Sequence, residues 1–129
     1  MNITNLLKET IADLADYGKG PADVRWVGSA DGSLALSWDA FVPLGAACNY
    51  DCDYGFQNIA SDLVVVGDDW WLERHEYDGA EYWDFKQLPT CNPSTHPFEL
   101  VANGDNQATI AEMNRPGGKY GMAMASSVR

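Results

Sequence analysis

The stretch "DLVVVGDDWWLERHEYDGAEYWDFKQLP", residues 62–89, constrains the fold more than any other part of the chain. Leu63 to Val66 is an unbroken β-rich run of the kind that sheets bury on both faces. Gly67 with Asp68 and Asp69 marks a turn or bulge, and two longer arms then flank Asp78-Gly79. Asp-Gly between alternating arms predicts a tight hairpin, with 70–77 pairing 81–88. Side chains alternate across a strand, so setting Tyr77 opposite Ala80 sorts the arms into two faces. One face carries Trp71, Glu73, His75, Tyr77, Tyr82, Asp84 and Lys86. The other carries Trp70, Leu72, Arg74, Trp83, Phe85 and Gln87, is the more apolar, and is assigned to the core. The first face then looks outward or lines a groove.

The partner for the core face is an N-terminal helix. Residues 3–17 place Ile3, Leu7, Ile11 and Leu14 at helical spacing with Leu6 beside them. Thr4 or Asn2 would cap its start, and Gly18 with Gly20-Pro21 would stop it. A second hairpin is expected where Val24–Val27 and Leu34–Trp38 flank Asp31-Gly32. Ser37 should cap a short helix through Phe41 that Pro43 limits, and residues 44–61 read as a long surface loop with one helical turn. Beyond Thr90 the periodicity fades: "HPFELV" suggests an edge strand, "QATIAEMNR" a short helix, and "PGGKYGMAMASSVR" a loose end. The expected fold is α+β, an N-terminal helix packed on a twisted antiparallel β-sheet of four to six strands. It forms a single domain over 1–129, with 90–129 a loosely packed C-terminal segment.

Charge narrows the partners. The chain carries 8 Lys+Arg against 19 Asp+Glu, a formal charge of -11, which repels phosphate backbones and favours proteins with basic surfaces. Direct nucleic-acid binding is therefore not expected. No run approaches the roughly 18 apolar residues of a membrane span. "MNITNLLKETIADL" lacks the basic leader and apolar block of an export signal, and the three cysteines are an odd number. A cytoplasmic protein with reduced thiols is the expectation.

The residue types admit three chemistries. Glu73, Glu76, Glu81 and Asp84 fall on neighbouring strands and read as exposed acids that keep an edge soluble. Glu73 and Asp84 with His75 would form a small hydrolase site, although no nucleophile elbow or phosphate loop accompanies them. Cys48-x3-Cys52 and Cys91-x4-His96 supply four ligands of the right type for tetrahedral zinc. Their spacing departs from the usual two-residue knuckle, so no cofactor is expected and structural zinc is the minor reading. Asp51 and Asp53 lack EF-hand spacing.

The hairpin stretch and, more weakly, "DVRWVGSADGSLALSW" resemble small uncharacterised proteins carried by phages and other mobile elements, over roughly residues 1–89. Such proteins have no assigned activity or site residues, so the resemblance implies context alone. It implies an accessory protein made in the cytoplasm of an infected bacterium, of a kind that binds and inhibits host factors, including defence proteins. The leading expectation is a non-enzymatic interaction protein that meets a basic host protein through Trp71, Glu73, His75, Tyr77, Tyr82 and Asp84. The alternative is a small ligand- or carbohydrate-binding module that stacks sugar rings on Trp71, Tyr77 and Tyr82. The hydrolase comes third.

Overall fold

The computed structural model describes residues 2–53, 55–94, 97–100 and 109–114. The chain divides into two units, Met1–Leu88 and Pro89–Arg129. The first unit holds β1 (Ile3–Asn5), α1 (Leu6–Asp16), a 3-10 turn (Pro21–Asp23), β2 (Trp26–Ser29) and β3 (Ala35–Leu36). α2 (Trp38–Ala46), β4 (Asn49–Asp51), β5 (Leu63–Val66), β6 (Trp70–Tyr77) and β7 (Ala80–Gln87) follow. Five strands form one antiparallel sheet in the order β3-β2-β5-β6-β7, and β1 pairs with β4 in a second, two-stranded sheet. The fold is α+β, as the pattern predicts.

The β6–β7 hairpin has the register derived from the sequence: Tyr77 opposite Ala80, His75 opposite Tyr82, Glu73 opposite Asp84 and Trp71 opposite Lys86. Asp78 and Gly79 both take positive φ, 53° and 87°, the conformation that a two-residue hairpin turn of this hand requires. Its core face behaves as assigned. Trp70, Leu72, Arg74 and Trp83 are buried and Phe85 is half-buried, although Gln87 at the open end is exposed. The second hairpin also forms, with Val27 opposite Leu36. Gly28 is required there, because a Cβ on it would stand 1.9 Å from the Leu34 carbonyl oxygen.

The N-terminal helix starts later than expected. It begins at Leu6, and Ile3–Asn5 is a strand instead. Asn5, rather than Thr4 or Asn2, caps it: its side-chain oxygen accepts from Lys8 N, while its Nδ2 donates to Ala46 O and to Asn49 Oδ1. The buried line is Leu6, Thr10 and Leu14, and Ile3 and Ile11 are exposed. Thr10 qualifies for the interior because both sides of its hydroxyl are used. It donates to Leu6 O at 2.7 Å and accepts Trp83 Nε1 at 2.9 Å, which ties α1 to β7. Gly18, at φ 72°, ends the helix as expected.

Ser37 caps α2 through Ala40 N, as predicted, but the helix runs through Pro43 to Ala46. The exposed proline leaves a single carbonyl without its helical partner, so the turn continues. The stretch read as one long loop therefore begins as helix and then contains β4, whose Tyr50 enters the core.

In the second unit, α3 (Ile110–Met113) forms where a short helix was expected, with Thr109 and Glu112 as a capping box. The expected edge strand around Phe98 does not form over the described 97–100. Pro97 has no N–H to give a ladder, and Asn114 takes both backbone groups of Glu99, at 2.8 and 3.1 Å. His96, Val101 and the residues beyond Asn114 lie outside the described residues.

The interior of the first unit contains an ion cluster. The side chain of Arg74 is fully shielded from solvent, with Glu81 at 3.0 Å and Glu9 at 3.5 Å. Its Nη2 also donates to the Tyr50 hydroxyl at 2.8 Å, and that hydroxyl donates to Glu9 Oε1 at 2.6 Å. The guanidinium lies over the Trp83 ring, 4.6 Å from its centre. Among the described residues Nε and Nη1 find no hydrogen-bond acceptor, so the Trp83 and Tyr50 rings and the two carboxylates carry the charge on that side. Burial opposes the charged form, but Tyr50, Glu9 and Glu81 outweigh it and hold the Arg74 pKa above its ordinary value. Burial, reinforced by Glu9, likewise pushes the Tyr50 phenol well above its ordinary value. The surface role expected for the hairpin acids is thus wrong for Glu81. It is buried, and its carboxylate also accepts Asn58 N at 2.5 Å and Ile59 N at 3.2 Å.

Candidate binding face

The outer face of the large sheet lies opposite α1. Register places its side chains in two rows that cross four strands. Trp26, Val66, Trp71 and Lys86 form one, and Gly28, Val64, Glu73 and Asp84 form the other. Between the rows is an open concavity of about 470 Å³, lined by Trp26, Ala30, Ser61, Asp62, Val64, Val66, Trp71 and Glu73. Its floor is apolar, with Val64 buried even on this side. Trp26 and Trp71 flank the floor, and Asp62 and Glu73 bring negative charge to the rim.

Hydrogen bonds hold part of the rim in place. Trp71 Nε1 donates to Glu73 Oε1 at 2.7 Å, which orients both side chains, and among the described residues the second carboxylate oxygen has no donor. Asp84, directly opposite Glu73, is 3.4 Å from Lys86 Nζ, so the two carboxylates differ in their neighbours. His75 and Tyr82 form a tilted ring pair, 5.3 Å between centres, beyond the concavity. Tyr77 is 73% exposed at the hairpin tip.

Of the six residues expected to form the binding face, Trp71 and Glu73 line the concavity and Asp84 adjoins it in the same row. His75, Tyr77 and Tyr82 share the face but stand apart from the hollow. Trp26, Val64, Val66 and Asp62 were missed. Trp26 alternates with Val27 in a short strand, a pattern that was visible, but the adjacency of β2 to β5 is a long-range pairing that no local signal encodes.

The four residues of the zinc reading are divided between the two units. Cys48 and Cys52 are half-buried against the core, Cys91 is exposed in the second unit, and His96 lies outside the described residues. Burial holds the thiols of Cys48 and Cys52 above their ordinary pKa. Among the described residues no group of three His, Cys, Asp or Glu is placed to hold a metal ion, and no helix is long and apolar enough to cross a membrane. No protein-family model, curated protein or solved structure matches the chain.

Proposed function

We propose that the protein is a non-enzymatic interaction protein that binds a basic surface of another protein through the outer face of its large sheet. The observation that carries this reading is the acid-rimmed hollow between Trp26 and Trp71. A lysine or arginine side chain fits its chemistry: an aliphatic stem on Val64 and Val66, and a cationic head beside Glu73 and Asp62. A chain charge of -11 steers such a partner toward it. On this reading the protein is a phage-type accessory factor whose partner is sought in a bacterial host, where inhibition of a defence protein is the role such a binder would fill.

The size of the hollow also keeps a small-ligand reading in play, because compact ligand sites span about 300–1,000 Å³. Salt separates the two. Charge-steered protein binding weakens as ionic strength rises, whereas stacking of a neutral ring on tryptophan barely responds.

The test uses four baits in parallel against host lysate: wild type, Trp71→Ala, Glu73→Lys and Leu44→Ala, the last altering an exposed residue of α2 outside the hollow. The expected partner is retained by wild type and Leu44→Ala and lost by the other two. With that partner purified, Trp71→Ala should weaken binding by about 2 kcal/mol or more. Glu73→Lys should mainly slow association, by a margin that shrinks in high salt. Equal retention of every ligand by all four folded baits removes this face as the binding site.

A further inference from the structure

β7 is the last strand of the five-stranded sheet, so one side of its backbone pairs with β6 and the other faces away. Two hydrogen bonds fix which groups do which. Leu88 N–H donates to Asp69 O at 2.7 Å and extends the β6–β7 ladder by one bonded pair. By alternation, Lys86, Asp84 and Tyr82 turn their backbone groups toward β6. Glu81 N–H points the opposite way and donates to Cys52 O at 2.7 Å. The N–H and C=O groups of Trp83, Phe85 and Gln87 therefore project from the free edge, and none of these three N–H groups meets a backbone acceptor among the described residues.

We propose that this edge pairs with the same edge of a second copy of the chain, β7 against β7, antiparallel, about a two-fold axis at Phe85. Charge selects the occupant and the register together. With Phe85 opposite Phe85 of the second copy, Asp84 faces Lys86 and Lys86 faces Asp84, two opposite-charge pairs on one side of the sheet. A register centred one residue earlier sets Asp84 against Asp84, and one centred a residue later sets Lys86 against Lys86. Registers further toward the N-terminus need the outward N–H of Glu81, which Cys52 already holds. Those further toward the C-terminus meet Pro89, which has no N–H. The single permitted register is thus the self-complementary one.

The side chains are placed for it. Asp84 and Lys86 are 39% and 46% exposed and already lie 3.4 Å apart within one strand, ready to exchange partners across the axis. Phe85 is half-buried, its ring stacked on Tyr17 at 4.1 Å, and pairing sets two such stacks side by side on the inner face. Edge strands are commonly guarded by a charge alone. An Asp-x-Lys pair flanking the central outward residue does more, because it matches its own reverse. The net charge of -11 on each copy opposes association at long range, an effect screened beyond about 8 Å at physiological salt. The axis stands perpendicular to the sheet, so the two outer faces join into one ten-stranded surface. This inference is independent of what that surface binds.

Sedimentation equilibrium at physiological salt, up to about 1 mM chain where weak association registers, is the test. Wild type should dimerise, and Asp84→Lys alone or Lys86→Asp alone should weaken dimerisation by about tenfold or more. An equimolar mixture of the two single variants should restore it, because the lysines of one chain then face the aspartates of the other at both positions. Circular dichroism confirms that each variant is folded. Amide exchange of wild type gives an independent reading that needs no variant: protection of Trp83, Phe85 and Gln87 should rise with concentration. A monomer throughout, dimers indifferent to either reversal, variants that do not recover on mixing, or concentration-independent exchange at these amides would each overturn the proposal. An edge that instead takes up an extended peptide from another protein would show itself as a wild-type monomer.

Discussion

Replacing Arg74 with methionine removes the charge at the centre of the interior cluster while keeping most of the volume. Three polar contacts vanish: Nη2 to Glu81 at 3.0 Å, Nη2 to the Tyr50 hydroxyl at 2.8 Å, and Nη1 beside Glu9 at 3.5 Å. The larger effect falls on what remains. The Glu81 side chain is 2% exposed and that of Glu9 15%, so two carboxylates are left in the interior without their cation. Breaking a buried pair from one side costs about 3–5 kcal/mol, against about 5–15 kcal/mol for the stability of a whole domain. Arg74→Met should therefore lose about 3–5 kcal/mol in urea denaturation followed by tryptophan fluorescence. Glu81→Gln should lose about 2–4 kcal/mol by the same logic, with the Asn58 and Ile59 amides keeping one acceptor. The double variant decides the matter. Because each single change strands the partner of the other, the combined loss should fall short of the sum by about 2 kcal/mol or more. Losses that add within about 0.5 kcal/mol would show that the two residues do not act as a pair, and the reasoning would fail.

Two further predictions concern α1 and the sheet it covers. Asp13 has its carboxyl pushed up to about 6 from an ordinary 3.8, first by burial and then by Glu9 and Asp16. A folded-state pKa above the unfolded one contributes stability below pH 3.8 that is lost as pH rises through about 6. Asp13→Asn should thus gain about 1 kcal/mol at pH 8, after allowance for partial exposure, and nothing near pH 4. An equal gain at both pH values would refute the assignment. On the hairpin, Trp83→Ala should lose about 3–5 kcal/mol, Phe85→Ala about 1–3 because it is only half-buried, and Tyr82→Ala less than about 1. Chemical denaturation checks the ranking, and a larger loss at Tyr82 would overturn the division into faces.

What the sequence made legible was local. The Asp-Gly turn and the alternation on either side set the β6–β7 register residue by residue, and Ser37 announced its own cap. What it hid was of two kinds. Ile3 lies four residues before Leu7 and so joins a helical stripe, yet it pairs with Asp51 across 48 residues, and no periodicity reports that distance. Thr10 and Glu81 look like surface residues, and each is interior because partners far along the chain satisfy its polar atoms. The same gap explains the site. Trp71 and Glu73 were found from the hairpin, whereas Trp26 and Asp62 reach the hollow through strand order and through an irregular segment.

That segment has a consequence for recognition. Residues 55–62 are mostly exposed and carry no regular structure, the profile of a loop that must be ordered when a partner arrives. Yet Glu81 grips two of its amides from within the interior, Asn58 Nδ2 reaches back to Asp51 O, and Ile59 sits in the core. Opening the loop would leave a buried carboxylate short of donors, so the closed shape is the low-energy one before anything binds. Ser61 and Asp62, two and three residues past that anchor, are delivered to the rim already in position. A partner docking there meets a wall with its entropy already spent, and the affinity it finds depends on contacts rather than on folding the loop.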